Sequence, residues 1–304
     1  MSTDFQTFLS QHSLKGKGST TPITHTRIGE PSLNIYGGSY HIPENKLDQF
    51  YALYYDYVFV KGYKEYLTET QNGNSMAVDL DFRYSYDTTE KQYTSQTIQD
   101  IICQYGEVIK EHLKVEENMP FNVYVYEKAH VNRIADKQIT KDGLHIVFGL
   151  KVDFQTQLFI RQKVLEQIKD VVELPLINTW EDVLDEGISK GSNKWQLYGS
   201  RKPNHKAYEL TEHYLLNLKE GNMEMNKQDI TGFSFKDNFK MLSVQYNNNY
   251  PEFKAKVEYA PLKINVVTPT RWQYTGNDYN AIVNEGSKIA LFMGSATSTI
   301  SHSS

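Results

Sequence analysis

Asp79 and Asp81 are separated by a single residue in the stretch Ser75-Met76-Ala77-Val78-Asp79-Leu80-Asp81-Phe82-Arg83-Tyr84. Apolar Val78, Leu80 and Phe82 alternate with Asp79, Asp81 and Arg83, the period-two pattern of a strand with one face in a core. Both carboxylates therefore point the same way, roughly 6–7 Å apart at their backbones. Acids so placed can converge on one hard divalent cation, and carboxylate-held Mg²⁺ or Mn²⁺ serves nucleotidyl chemistry. The pattern also suits a solvated face on which Arg83 neutralises one acid, so the rest of the chain must discriminate.

Two further stretches carry chemistry. In Lys141-Asp142-Gly143-Leu144-His145-Ile146-Val147-Phe148, residues Leu144, Ile146 and Phe148 form the apolar face of a strand, and His145 points to the other side. A rigidly held imidazole donates well to a phosphate oxygen, and Lys141 can help to grip a triphosphate tail. A strand histidine can equally just satisfy a neighbour. In Trp180-Glu181-Asp182-Val183-Leu184-Asp185-Glu186-Gly187, Asp185 is the preferred third carboxylate, because it follows Val183-Leu184 at an expected strand end. Asp182 and Glu186 compete with it. Three carboxylates are what a one- or two-cation site for attack on a triphosphate needs. From Gly187 to Tyr208 there is no acid, while Lys190, Lys194, Arg201, Lys202 and Lys206 stand near Trp195 and Tyr198, a mixture suited to phosphates and stacked bases. A solvated basic loop would look the same.

The elements that must hold these residues alternate along the chain. Helices are expected over Pro43 to Tyr55, Ser95 to Leu113 and Asp153 to Val171, and a strand over Phe121 to Tyr126. The cluster Tyr51, Tyr54, Tyr55 and Tyr57 fits a half-buried helix face better than a base-stacking platform. Residues 1 to about 30, rich in Ser, Thr, Gly and Lys, lack periodicity and suggest a mobile arm. With 304 residues, 39% hydrophobic and 23% charged, the chain is expected to be soluble and globular. No apolar run approaches the ~20 residues of a membrane span. A single cysteine, Cys103, excludes disulfides within the chain and a Cys-based zinc site, suggests an intracellular protein, and is expected to be a small core residue. A formal charge of −5 argues against coating nucleic acid through bulk charge but leaves room for a local basic channel.

In order and spacing, these stretches resemble the archaeo-eukaryotic primase superfamily, in particular the primase-polymerase module that opens the primase-helicase proteins of large nucleocytoplasmic DNA viruses. Asp79-Leu80-Asp81 matches the first motif, two acids separated by one residue on a strand. Lys141-Asp142-Gly143-Leu144-His145 resembles the second, with Gly143 where serine is more usual, so that one hydroxyl toward the phosphates is missing. Val183-Leu184-Asp185 resembles the third. Trp195-Gln196-Leu197-Tyr198-Gly199-Ser200-Arg201-Lys202 resembles the downstream basic run, with Gln196 in place of a frequent arginine and Arg201 available to compensate.

The resemblance covers roughly residues 35 to 210. It implies an α+β fold, with an RNA-recognition-like antiparallel sheet joined to a smaller α/β module and a C-terminal accessory segment. The expected organisation is an arm over 1–32, a primase-polymerase core over 33–215, an accessory region over 216–294 and a disordered tail over 295–304. It further implies primer synthesis from NTPs or dNTPs on a single-stranded DNA template, with Mg²⁺ or Mn²⁺ on Asp79, Asp81 and Asp185. Lys141, Gly143, His145, Gln196, Arg201 and Lys202 are then expected around the incoming nucleotide. Viral relatives continue into a superfamily 3 helicase, but no Gly-x-x-x-x-Gly-Lys-Ser/Thr stretch exists here. The chain is then either the N-terminal piece of a primase-helicase or a stand-alone primase, acting in host cytoplasm or nucleus where viral DNA replicates. Two competitors remain: a non-catalytic single-strand-binding module, and a metal-dependent sugar-nucleotide glycosyltransferase, which a Gly-rich turn after a first parallel strand would favour.

Overall fold

Residues with two-residue and three-to-four-residue apolar periods build one large sheet with helices against it. The computed structural model describes residues 3–14 and 20–257. Helix α1 (Asp4–Gln11) precedes strands β1 (His25–Arg27) and β2 (Gly38–Tyr40), helix α2 (Leu47–Tyr55), strand β3 (Leu67–Glu69) and the long strand β4 (Met76–Ser85) that carries Asp79 and Asp81. Helix α3 (Ser95–His112), strands β5 (Phe121–Glu127), β6 (Asn132–Ile134) and β7 (Ile139–Phe148), and helix α4 (Phe154–Val171) follow. Two single-turn helices, α5 (Trp180–Val183) and α6 (Glu186–Ser189), lead to β8 (Trp195–Gln196) and to the hairpin of β9 (Glu209–Lys219) and β10 (Asn222–Gln228).

The larger sheet has the order β10-β9-β5-β7-β4, with β6 paired to the start of β7, and the smaller has the order β2-β1-β3-β8. Every pairing within the two sheets is antiparallel. This is the expected α+β class, and the parallel first strand that the glycosyltransferase alternative wants is not among the described residues.

Each face of the larger sheet carries its own core. On one face, Met76, Val78, Leu80, Phe82 and Tyr84 of β4 pack with Ile98, Ile101, Ile102, Tyr105 and Ile109 of α3 and with Ile160, Val164 and Ile168 of α4. Both helices start where expected for a local reason: Thr94 and Thr97 form a reciprocal capping box for α3, and Asp153 Oδ1 accepts from Thr156 N at 2.8 Å to cap α4. Cys103 belongs to the outer side of α3 and is exposed, not a core residue as expected, because the apolar stripe of the helix is filled by its neighbours. On the opposite face, Ala77, Val147, Tyr124 and Tyr126 meet Phe50, Tyr51 and Tyr54 of α2, Leu67 and Trp195 of the smaller sheet, and Leu197 just after it. Tyr51 and Tyr54 of α2 are thus core residues, with Tyr55 half-buried at the edge. The helix is entered through a 3₁₀ turn, Glu44–Lys46, and prolonged by a π turn, Asp56–Val60.

The N-terminal residues differ from the expected arm. Thr3 caps α1 by accepting from Gln6 N, and Phe5, Phe8 and Leu9 are buried in the second core, with Phe5 4.9 Å from Tyr57 and 5.6 Å from Tyr54 between ring centroids. Eight residues offer little periodicity, and such a short helix is stable only because a pocket of aromatic rings receives its face. The expected boundary after residue 215 is also crossed: β9 runs through it, paired to β5 on one side and β10 on the other. The expected tail, 295–304, and the accessory region beyond 257 lie outside the described residues.

Phe5→Ala is expected to lower stability by about 3 kcal/mol, as for other buried phenylalanines, read as the midpoint of denaturant unfolding. An unchanged midpoint would mean that α1 is not docked.

Candidate active site

The pairing of β4 with β7 sets three rungs side by side: Asp79 opposite His145, Asp81 opposite Gly143 and Arg83 opposite Lys141. Directly opposed residues of an antiparallel pair project from the same face. One rung earlier on that face, Ala77 and Val147 lie under the second core; from Asp79 onward the sheet is open. There it forms the floor of a cleft of about 410 Å³, walled by Leu67 and Thr68 of β3 and by Trp195 and Gln196 of β8. Asp79, Asp81, Lys141, Gly143, His145, Asp185, Gln196, Arg201 and Lys202 all line it.

Each carboxylate has a protein partner. Asp81 accepts from Lys141 Nζ at 2.9 Å and from Arg83 at 3.2 Å, and Asp79 lies 3.4 Å from His145 Nε2. Burial raises the Asp79 pKa, but His145, Lys202 and Lys128 outweigh it and hold the carboxyl below its ordinary value. The imidazole is fixed by rings on two sides, stacked on Tyr208 with centroids 3.7 Å apart and tilted against Trp195 at 4.4 Å. Trp195 and Tyr198 are both buried, so neither offers a free face for a base, as the sequence suggested they could.

Asp185 reaches the cleft by a different route from the strand end expected. Thr179 caps α5 and Asp185 itself caps α6, accepting from Ile188 N at 3.0 Å. Short polar side chains before a turn of backbone N–H groups favour this arrangement over a strand. A lone bridge between Leu184 and Leu80 and a hydrogen bond from Asp185 N to Asp79 O, 3.0 Å, still tie the segment to β4. Asn193 Nδ2 donates to Asp185 Oδ1 at 3.1 Å. Of its two competitors neither lines the cleft, and Glu186 pairs with Lys190.

Among the described residues, no three His, Cys, Asp or Glu side chains are grouped closely enough to hold a metal ion. Asp79, Asp81 and Asp185 share one cleft without converging in it. Their donor chemistry, carboxylate oxygen throughout, suits a hard divalent cation, and Asp81 is ion-paired with Lys141 and Arg83. Gln196 is occupied as a donor to the Ser200 carbonyl, while Nε of Arg201 is buried with no hydrogen-bond partner among the described residues.

The lining also contains Lys128, His130, Lys137, His205 and Tyr208, which the motifs did not single out. Lys128 follows β5 directly, and the end of an amphipathic strand was the one available signal for it. Burial, and then the charge of Lys202, push the Lys128 pKa down; burial, and then Lys128, Lys202 and Lys141, do the same for His205. The lining thus sets Lys128, Lys137, Lys141, Lys194, Arg201 and Lys202 around Asp79, Asp81, Asp142 and Asp185, an excess of basic groups that favours a polyphosphate with a metal counter-ion.

The sequence model of the C962R protein N-terminal AEP domain matches residues 29–214, more than half of the chain and every residue of the three rungs. The chain belongs to this archaeo-eukaryotic primase (AEP) family. It is also 32% identical over 219 residues to an Acanthamoeba polyphaga mimivirus protein with the provisional name helicase L207/L206, a match covering 70% of this chain and 22% of that protein. The chain spans less than a quarter of that relative's length. The chain thus carries an AEP domain, of a superfamily of nucleotidyltransferases. No helix among the described residues of this AEP domain is long and apolar enough to cross a membrane.

Because the folded pKa of Asp79 lies below the ordinary 3.8, its contribution to stability is complete above that value and lost as pH falls through the folded pKa. Asp79→Asn is therefore expected to flatten the fall in thermal midpoint below about pH 4, measured in chelator-treated buffer. An acid limb of unchanged slope would show that His145 and the lysines do not stabilise the carboxylate.

Proposed function

We propose that this AEP domain is a metal-dependent DNA primase that makes short primers from nucleoside triphosphates on a single-stranded DNA template and can extend them as a polymerase. One observation carries the reading: the two acids Asp79 and Asp81 stand on successive rungs beside His145, Gly143 and the Arg83–Lys141 pair, on the floor of a cleft also lined by Lys128, Lys137, Lys194, Arg201 and Lys202.

Asp79, Asp81 and Asp185 would hold Mg²⁺ or Mn²⁺. When bound, such a cation lowers the pKa of an attacking hydroxyl and neutralises charge on the departing pyrophosphate. The chain's own groups do the rest. Lys141, one rung from Gly143 and paired with Asp81, would bind the triphosphate tail. His145, held between Tyr208 and Trp195, presents a fixed N–H donor, and Lys202 with Arg201 closes on the phosphates from the segment after β8. Buried Leu80 and Phe82 keep the two acids from rotating away. Given the helicase name of the mimivirus relative, of which this chain spans 22%, the helicase partner is a further part of the proposal, on the same longer polypeptide or recruited to the fork.

The ion pairing of Asp81 with Lys141 and Arg83 favours a second reading, a non-catalytic module that binds single strands without metal. Both are tested by incubating the protein with single-stranded DNA, labelled nucleoside triphosphates and Mg²⁺ or Mn²⁺. The primase reading expects short products that disappear with EDTA and fall at least about a hundredfold in Asp79→Asn and Asp81→Asn, as for other lost transition-state electrostatics, while both variants remain cooperatively folded at the assay temperature. Synthesis that survives both substitutions would sink it. Metal-independent strand binding without products supports the second reading.

A further inference from the structure

Tyr208 occupies a place in the cleft that none of the sequence motifs assigns. It immediately precedes β9, whose first rung with β5 is Glu127 opposite Glu209, so Tyr208 and Lys128 leave the sheet side by side. Its ring is stacked on His145 at 3.7 Å with planes 19° apart, Lys128 Nζ lies 4.5 Å from its centroid, and its hydroxyl fills the space over Gly143. Gly143 shares a rung with Asp81. The phenol oxygen is thus delivered to the floor of the cleft, beside the carboxylate pair.

A side chain built at position 143 shows what it would meet there. Its Cβ would overlap the Tyr208 hydroxyl, whereas the next atoms, Leu80 O at 3.4 Å and Tyr208 Cζ at 3.6 Å, are at ordinary contact distance. The whole obstruction is one oxygen atom. Residues 143 and 208 compete for the same small volume, and in this chain residue 208 fills it with a hydroxyl. Burial, and then the carboxylates of Asp79, Asp81 and Asp142, push the Tyr208 pKa well above its ordinary value, so the group keeps its proton and acts as a donor.

Resting on the nucleotide-binding reading of the cleft, we propose that Tyr208 is a triphosphate-binding residue whose hydroxyl donates to the phosphate chain over Gly143, supplying from the start of β9 the side-chain hydroxyl that position 143 lacks. The ring has a second duty, holding the His145 imidazole flat, which phenylalanine would preserve. The two duties can therefore be separated by substitution.

The test is equilibrium binding of a fluorescent nucleoside triphosphate with Mg²⁺ to four proteins: the intact chain, Tyr208→Phe, Gly143→Ser and the Gly143→Ser/Tyr208→Phe double variant, each with its thermal midpoint recorded. Tyr208→Phe is expected to weaken binding about tenfold, the loss of one hydrogen bond to a charged group. Gly143→Ser alone also weakens it, because the new Cβ displaces the tyrosine. The double variant recovers to within about threefold of the intact chain, since a serine fits once the phenol oxygen is gone. A purely structural tyrosine would give no such rescue. Equal binding by the intact chain and Tyr208→Phe overturns the inference and leaves the nucleotide reading standing; a double variant no better than Tyr208→Phe also overturns it. No triphosphate binding by the intact chain overturns both.

Discussion

The register of β4 against β7 is the constraint from which the candidate site follows. Slipped by one residue, Asp79 and Asp81 would face α3 and α4, and Val78, Leu80 and Phe82 would face the cleft. Burying two carboxylates without partners costs several kcal/mol, and each displaced core side chain forfeits about 1.5–3 kcal/mol. The ion pairs on the open face are weak by comparison. The side chains of Lys141 and Asp81 are both about one-third exposed, and such pairs contribute at most about 1 kcal/mol. The apolar residues between the acids, not the charges themselves, decide where the charges stand.

Rigidity then passes from the cores to the wall of the cleft. Tyr54, at the centre of the second core, donates to Tyr198 O at 2.8 Å and lies 2.9 Å from Ser200 Oγ, which in turn accepts from Leu67 N at 3.0 Å. Arg201 and Lys202 directly follow this locked turn. Gly199 within it has a φ of +85°, and a Cβ there would run into Phe59. The basic side chains are long, but the backbone from which they project is tied to α2 and to the β3 wall through two buried hydroxyls.

Asp79, Asp81, Lys141 and His145 were legible in the sequence because a strand's period of two fixes the direction of every side chain once one face is known to be apolar. Asp185 was legible as a residue but not as an element, since its hydrogen bond to Ile188 N is helix-capping chemistry that a Val-Leu-Asp run does not announce. Helix α1 was missed because Phe5, Phe8 and Leu9 gain their meaning only from rings far along the chain, those of Phe50, Tyr54 and Tyr57. Tyr208 and Lys128 were missed for a related reason: each is one residue beyond a strand end, and only the pairing of β5 with β9 makes them neighbours. Local pattern determines direction, whereas adjacency across the fold comes from long-range pairing.

The hydrogen bonds around Glu69 bear on how a shortened form of this chain can be made. This carboxyl is fully buried at the end of β3, its pKa pushed up to about 7 by burial against the pull of its partners, Ser243, the backbone at Gln245 and Val244, and Tyr51. Three of those partners, Ser243, Val244 and Gln245, lie well beyond Tyr214, where the family match ends in the middle of β9. A recombinant fragment trimmed to that match would cut a strand in half, discard its hairpin partner and leave a buried acid facing water that the intact chain keeps out. The stretch by which ancestry is recognised and the stretch that folds as a unit end at different residues, and an expression boundary belongs at the second.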